Sequence, residues 1–331
     1  MESEVREGPL VGPSIKKEGK AKLLKSLLQS REFILAVALL IIIIIMKLVS
    51  PFFLTLTNIR GLLVGTTMIG VISVGMTGVL ATGGLDLSVG STLAFAGIIA
   101  GISLRAGIPV TFSVIFALLS AGAVGFLNGV FISKLKLDPF ITTLASMIIV
   151  RGLLLVISNG HAIINLPDSF NQIGQGTFQG FQYPVYYFFI IAIVGDFLFR
   201  KSYLFRLSYY VGSNQEAATM CGINVERIKI LNYVIVALFA GIAGICMTAR
   251  MGMASVTIGE STPLPVLAAC VIGGSSFRGG EGTVLGAVLG AFLLELLINA
   301  LNIAGIGIYW QQVFTGMILL GAIMLDKFKK K

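Results

Sequence analysis

Few side chains in this sequence could do covalent chemistry, and their spacing argues against it. His161 is the only histidine and has no cysteine or second histidine at metal-ligand spacing, so it reads as a surface residue. Cys221, Cys246 and Cys270 lie inside or beside apolar runs and read as reduced packing residues. No Ser/His/Asp arrangement and no pair of carboxylates at workable spacing can be assembled from what remains. The run Gly273-Gly274-Ser275-Ser276-Phe277-Arg278-Gly279-Gly280-Glu281-Gly282 is glycine-rich enough for a phosphate loop, but no Gly-Lys-Ser/Thr follows it and no strand precedes it. The chain is therefore expected to be no enzyme, to ligate no metal and to hold no cofactor of its own.

The remaining polar residues suit non-covalent contact. Glu295, Asn299 and Asn302 recur at i, i+4 and i+7 and so share a helical face, and Tyr309, Trp310, Gln311 and Gln312 open the next apolar run. Amides and aromatic faces are what a neutral polyhydroxylated solute would meet in a passage, which makes Asn299, Asn302, Trp310 and Gln311 candidate passage residues. The same groups serve equally as glue between helices. The stretch Gly83-Gly84-Leu85-Asp86-Leu87-Ser88-Val89-Gly90-Ser91 stands between two apolar runs, and Asp86 is the only acid between Glu32 and Asp138. Either Asp86 or Ser88 caps the following helix while the glycines turn the chain, or the pair touches solute directly. A third stretch, Gly212-Ser213-Asn214-Gln215-Glu216-Ala217-Ala218, leads to Gly222-Ile223-Asn224 and suits a short helix closed by glycine. Such a helix is a docking element for a soluble partner or a plain connector.

The elements that hold these residues are membrane-spanning. Hydrophobic residues make up 56% of the chain against 12% charged, and the mean hydropathy is +0.95, a balance that excludes an ordinary soluble domain. The apolar residues recur in long runs, the first from Phe33 to about Val49, long enough for a hydrocarbon layer of about 30 Å. About thirty polar residues precede it, so a retained first span is expected rather than a cleaved leader. Ten segments are expected, beginning near residues 33, 60, 89, 110, 139, 184, 228, 262, 283 and 310. The third, Val89 to Leu104, and the eighth, Thr262 to Ile272 with Pro263 and Pro265, are too short for simple crossings. Short or broken segments survive in a membrane only where protein or a wet cavity satisfies their backbone, so these two are expected near the passage. Gly125-xxx-Gly129 and Gly286-xxx-Gly290 mark close helix packing.

Charge sets the orientation. With both ends inside, the inner segments hold 19 of the 24 Lys and Arg, the outer loops hold Lys47, Arg60, Arg105 and Arg250, and Arg151 falls within the fifth span. The net charge of +9 is therefore mostly topology, and no basic groove interleaved with aromatics points to nucleic acid. Residues 1–31 form a basic cytoplasmic tail. Its stretch from Ser14 to Ser30 sets Ile15, Leu23, Leu24, Leu27 and Leu28 among lysines, as in a helix lying on membrane lipid or in a disordered basic tail. Residues 32–331 form the spanning domain, with an inner loop near 200–228. The outer loop from Ser158 to Pro184 has no Lys or Arg and is rich in Asn, Gln and Gly, which offers a polar surface to something outside.

Taken in order, the motifs at 83 to 91, 212 to 218 with 222 to 224, and 273 to 282 resemble those of the permease subunits of bacterial ATP-binding-cassette sugar importers. The resemblance is to the ribose-type branch, with its xylose, galactose and autoinducer-2 permeases, and covers roughly residues 50 to 325. It implies an all-α polytopic bundle in the bacterial inner membrane that pairs with a second permease, identical or closely related. It also implies a cytoplasmic ATPase that uses ATP and Mg, and an extracytoplasmic solute-binding protein. Glu216, Ala217, Ala218 and Gly222 match the ATPase-coupling segment, and Gly83, Gly84, Asp86, Ser88, Gly273, Gly274, Gly279 and Gly280 match the branch's glycine motifs. The likeness departs at Thr262-Pro263-Leu264-Pro265, where the branch shows a Tyr-Glu-Leu-Asp-like stretch. The competing reading is an ion-coupled secondary transporter, for which Asp86, Asp196 and Glu295 are the available acids. A membrane scaffold that moves nothing is a further one.

Overall fold

The computed structural model describes residues 31–328, and the interfacial reading of the basic tail lies outside them. Most of the described chain is helix. The helices are α1 (Arg31–Val49), α2 (Leu56–Ala81), α3 (Val89–Arg105), α4 (Val110–Ser133) and α5 (Pro139–Ser158). After them come α6 (Asp168–Gln175), a two-stranded antiparallel hairpin β1 (Thr177–Phe178) and β2 (Phe181–Gln182), and α7 (Tyr183–Lys201). The chain continues through α8 (Tyr203–Ser213), α9 (Gln215–Met220), α10 (Val225–Met251), α11 (Pro263–Ile272), α12 (Val284–Ile303) and α13 (Ile308–Phe328). Among the described residues, α1, α2, α4, α5, α7, α10 and α12 are long and apolar enough to cross a membrane. Helices α3 and α11 are apolar but shorter.

Helix boundaries follow from local chemistry. Asp138 caps α5 by accepting from Ile141 N at 3.1 Å, with Pro139 at the first position where no amide is needed. Asn224 caps α10 through Arg227 N at 3.0 Å, and Thr283 caps α12 through Gly286 N at 3.0 Å. Of the two residues expected to cap α3, Ser88 makes no side-chain capping bond, while Asp86 accepts an amide just before the helix. Ser88 precedes α3 but already has right-handed helical angles, whereas a capping residue needs an extended backbone to aim its oxygen at the first amides. The Asp86 carboxylate accepts from Ser88 N at 2.7 Å and Ser88 Oγ at 2.6 Å, which closes a tight turn before the helix.

Helix α2 is the axis of the bundle, buried along most of its length and surrounded by α7, α10, α11 and α12. Its apolar residues join those of α7, α10, α11 and α12 in one large core. Helix α10 packs against α2, α3 and α4. Small residues permit these approaches: Gly125 and Gly129 lie directly on the backbone of α10, and Gly286 and Gly290 lie on α11 and the residue after it. Outward faces of α1, α4, α5 and α7 carry exposed Ile, Leu, Val and Phe, which suits contact with lipid tails.

Candidate functional site

The sequence motifs that stand far apart in the chain meet at one junction. Gly280 N donates to the carbonyl of Ala81, the last residue of α2, at 2.9 Å. A Cβ on Gly279 would lie 2.8 Å from Gly83 N and 2.9 Å from Gly212 Cα. A Cβ on Gly212 would strike the same Ala81 carbonyl and approach Gly280 N to 2.6 Å. The first motif, the end of α8 and the second glycine cluster are therefore in backbone contact, and glycine is required because any side chain would force them apart. Gly83, Gly279 and Gly280 also adopt positive φ (77°, 84° and 77°), which L side chains resist. Tyr233 of α10 donates to the carbonyl of Leu85 at 3.1 Å, and Asn128 of α4 donates to Ser88 Oγ at 2.9 Å, so the loop with Asp86 is pinned from two more helices. Gly84 lies against the Tyr233 hydroxyl, Gly273 lies on Gly286, and Gly274 lies beside the Arg31 side chain. Thr283 donates to Glu32 at 2.9 Å, which ties the start of α1 to the start of α12.

Three residues beyond Gly212 the chain enters α9. Asn214 caps it by accepting from Ala217 N at 2.9 Å, and Gly222 closes it with φ +77°. Gly222 N donates to Thr219 O at 2.9 Å and Ile223 N to Ala218 O at 3.0 Å, the paired bonds of a glycine-closed helix end. Glu216 and Ala217 are exposed, as is Met220 at 89%. Ala218 is buried among Leu207, Val211, Val225 and Ile228, so it seats the helix rather than meeting a partner. Lys229 Nζ donates to Gln215 at 2.9 Å and fastens α9 to α10. The sequence suggested one short helix in this loop; the structure has two, because Leu207 and Val211 give the preceding residues an apolar face of their own.

The short helices α3 and α11 begin beside one another. A Cβ on Gly90 would lie 3.0 Å from Pro263 Cδ, and one on Gly259 would lie 3.2 Å from the Gly90 carbonyl carbon. Next to this contact is a groove of about 450 Å³ lined by Ser91, Met147, Arg151, Gly152, Gly259, Glu260 and Pro263 among others. Ser91 Oγ donates to Met147 O at 2.9 Å across to α5.

The candidate passage residues of α12 and α13 are not gathered here. Asn299 and Asn58 exchange two amide hydrogen bonds, at 3.0 and 2.8 Å, between α12 and α2. Gln311 donates to Asn302 at 2.6 Å and to Ile306 O at 3.1 Å. Trp310 is 62% exposed whereas Gln311 is buried, so the two neighbours face opposite ways. Glu295, on the same face as Asn299, points at Gly65 of α2.

A family model described as "Branched-chain amino acid transport system / permease component" matches residues 58–323. The chain belongs to this permease family. It is 36% identical over 291 residues to the L-arabinose ABC transporter permease protein of Azospirillum brasilense, covering 88% of this chain and 86% of the relative. It is 36% identical to the ribose import permease protein of Bacillus subtilis, over 88% of this chain and 91% of the relative. The ribose import permease protein of Escherichia coli K12 is 35% identical, over 89% and 93%. No solved structure matches the chain. The permease is a multi-pass membrane protein, and its glycine junction lies within the matched span. Sequence reasoning located all of the junction's glycines but not their meeting, and it noted Arg151 only as a stray charge in a span.

Proposed function

We propose that this chain is the membrane permease of an ATP-driven importer for a monosaccharide such as ribose or arabinose. The observation that carries the reading is the end-to-end likeness to permeases named for those two sugars, which covers 86% or more of each relative's length. Their names narrow the broader description of the family, which speaks of branched-chain amino acids. The bundle has ten segments in this reading: the seven long apolar helices, the short α3 and α11, and the closing α13. Both ends face the cytoplasm. Support comes from the lysine and arginine distribution and from the way the start of α1, the end of α2, the end of α8 and the loop before α12 share one side.

Import needs energy that this chain does not generate. A cytoplasmic ATPase binds ATP and Mg and docks on α9 through Glu216, Ala217 and the exposed end at Met220. Gly222 fixes the helix end, and Ala218 fixes its seat. Movement of α9 passes to Gly212 and from there to Gly83, Gly279 and Gly280, because close-packed backbone contacts transmit displacement rather than absorb it. The first of the loops so displaced leads into α3, and the second joins the end of α11 to α12. A second permease copy or close paralogue completes the passage, and a solute-binding protein delivers the sugar to the outer loop. The test is stimulation of hydrolysis. In the purified complex with its ATPase, ATP turnover should rise when sugar-loaded binding protein is added outside, and should not rise with the binding protein's sugar removed.

A further inference from the structure

We propose that Arg151 and Glu260 hold the solute's hydroxyls between them in the groove among α3, α5 and α11, so that the sugar crosses the outer half of the permease there; this rests on the sugar-importer reading. Arg151 stands seven residues, or about 10 Å, from the end of α5 at Ser158. A guanidinium at that depth is costly unless it is partnered or functional. Its Nη1 donates to the carbonyl of Val256 and, at 3.3 Å, to that of Ile258, and Nη2 reaches Ile258 O at 3.4 Å. These bonds aim the guanidinium along the loop before α11 and leave other N–H donors of its five free. Glu260 follows two residues later, lines the same groove and makes no side-chain hydrogen bond among the described residues. The two charges feel each other electrostatically but form no ion pair, since the one within 4.0 Å among the described residues is Arg200–Asp196.

A guanidinium and a carboxylate that share a cavity without closing on each other leave room for a bridging group. The cavity, about 450 Å³, lies in the range of small-molecule sites, roughly 300 to 1,000 Å³. Its other walls include Ser91, Gly152, Gly259 and Pro263, which leave space near the backbone. An anion would be held by Arg151 and repelled by Glu260, and a cation the reverse. A hydrocarbon would satisfy neither. Adjacent hydroxyls of a neutral sugar accept from the guanidinium and donate to the carboxylate at once; an amino-acid zwitterion would also satisfy both charges, and the likeness to permeases named for arabinose and ribose is what favours the sugar. The amides of Asn299 and Asn302, by contrast, are engaged with Asn58 and Gln311.

Two variants test this in proteoliposomes holding the permease, its ATPase and external binding protein loaded with D-ribose or L-arabinose. Glu260→Gln keeps the shape and disturbs no hydrogen bond, so its stability should be unchanged while uptake at saturating binding protein falls about tenfold or more, the size of a lost hydrogen bond to a charged group. Gly152→Cys, made with Cys221→Ser, places a thiol where a Cβ meets nothing within 4 Å. Uptake through it should be blocked by a small impermeant thiol reagent, and sugar-loaded binding protein with ATP should slow that block. Wild-type rates from Glu260→Gln together with an unblocked Gly152→Cys overturn the proposal. So does disulfide linkage of Gly152→Cys between two copies with uptake retained, which makes the groove a subunit contact. If the unaltered permease moves neither sugar, the importer reading fails and the groove assignment falls with it.

Discussion

Asn299 and Asn58 illustrate what a polar residue does inside a helical bundle. Each amide offers a donor and an acceptor, and the reciprocal pair uses one of each on both sides. Asn299→Leu should therefore lower the melting temperature while leaving sugar uptake near normal, with each interhelical bond worth about 0.6 kcal/mol. Slow uptake with unchanged melting would return Asn299 to the passage. Gly212 offers the opposite case, in which absence of a side chain is the requirement. Gly212→Ala would drive a methyl into the Ala81 carbonyl and the Gly280 amide, so thermal stability and sugar-stimulated ATP hydrolysis should both fall. Ser213→Ala, which loses only a bond to the Tyr209 carbonyl on an exposed side chain, is the neutral control. The i, i+4, i+7 spacing of Glu295, Asn299 and Asn302 was legible as a shared face. Which neighbour the face meets was not, because Asn58 lies 241 residues away in the chain.

At the scale of elements, the spanning helices were legible because a backbone in lipid must bond to itself and an apolar run must continue for about 20 residues. The short helix α9 was legible from the composition of its stretch and the closing Gly222, and its end matches the bonds expected of a glycine in that role. Gly222 has φ +77° with open space around its Cα. Gly222→Ala should thus be mild, costing about 1 kcal/mol through backbone strain alone. Gly222→Pro cannot reach that φ and loses the amide bonded to Thr219, so it should uncouple ATP hydrolysis from sugar while the protein still reaches the membrane. Solute-stimulated hydrolysis at the normal level in the proline variant would remove α9 from the coupling role. The junction of Gly83, Gly212, Gly279 and Gly280 left no trace in periodicity or spacing. Backbone-to-backbone contact between distant loops has no side-chain pattern to reveal it.

For the whole molecule, the proposed orientation places most lysines and arginines inside and the loop from Ser158 to Pro184, which has none, outside. A cysteine at Gln172 on the exposed face of α6 should react with an impermeant thiol reagent from outside, and one at Ser213 should react only after permeabilisation. Reversed labelling would invert the permease. The short helices α3 and α11 start side by side at Gly90 and Pro263; that they flank the passage belongs to the proposal. Arg151 stood out in the sequence, but Glu260 did not, because a carboxylate 109 residues away in an apparent outer loop becomes relevant only when that loop folds back to α3. The central claim is that sugar crosses on energy from ATP, and uptake into proteoliposomes tests it most directly. With the ATPase and sugar-loaded binding protein present, D-ribose or L-arabinose should accumulate only when ATP is supplied, and an ionophore that abolishes all ion gradients should leave the rate unchanged. Uptake that stops with the gradients while ATP stays high would contradict the account and establish an ion-coupled transporter instead.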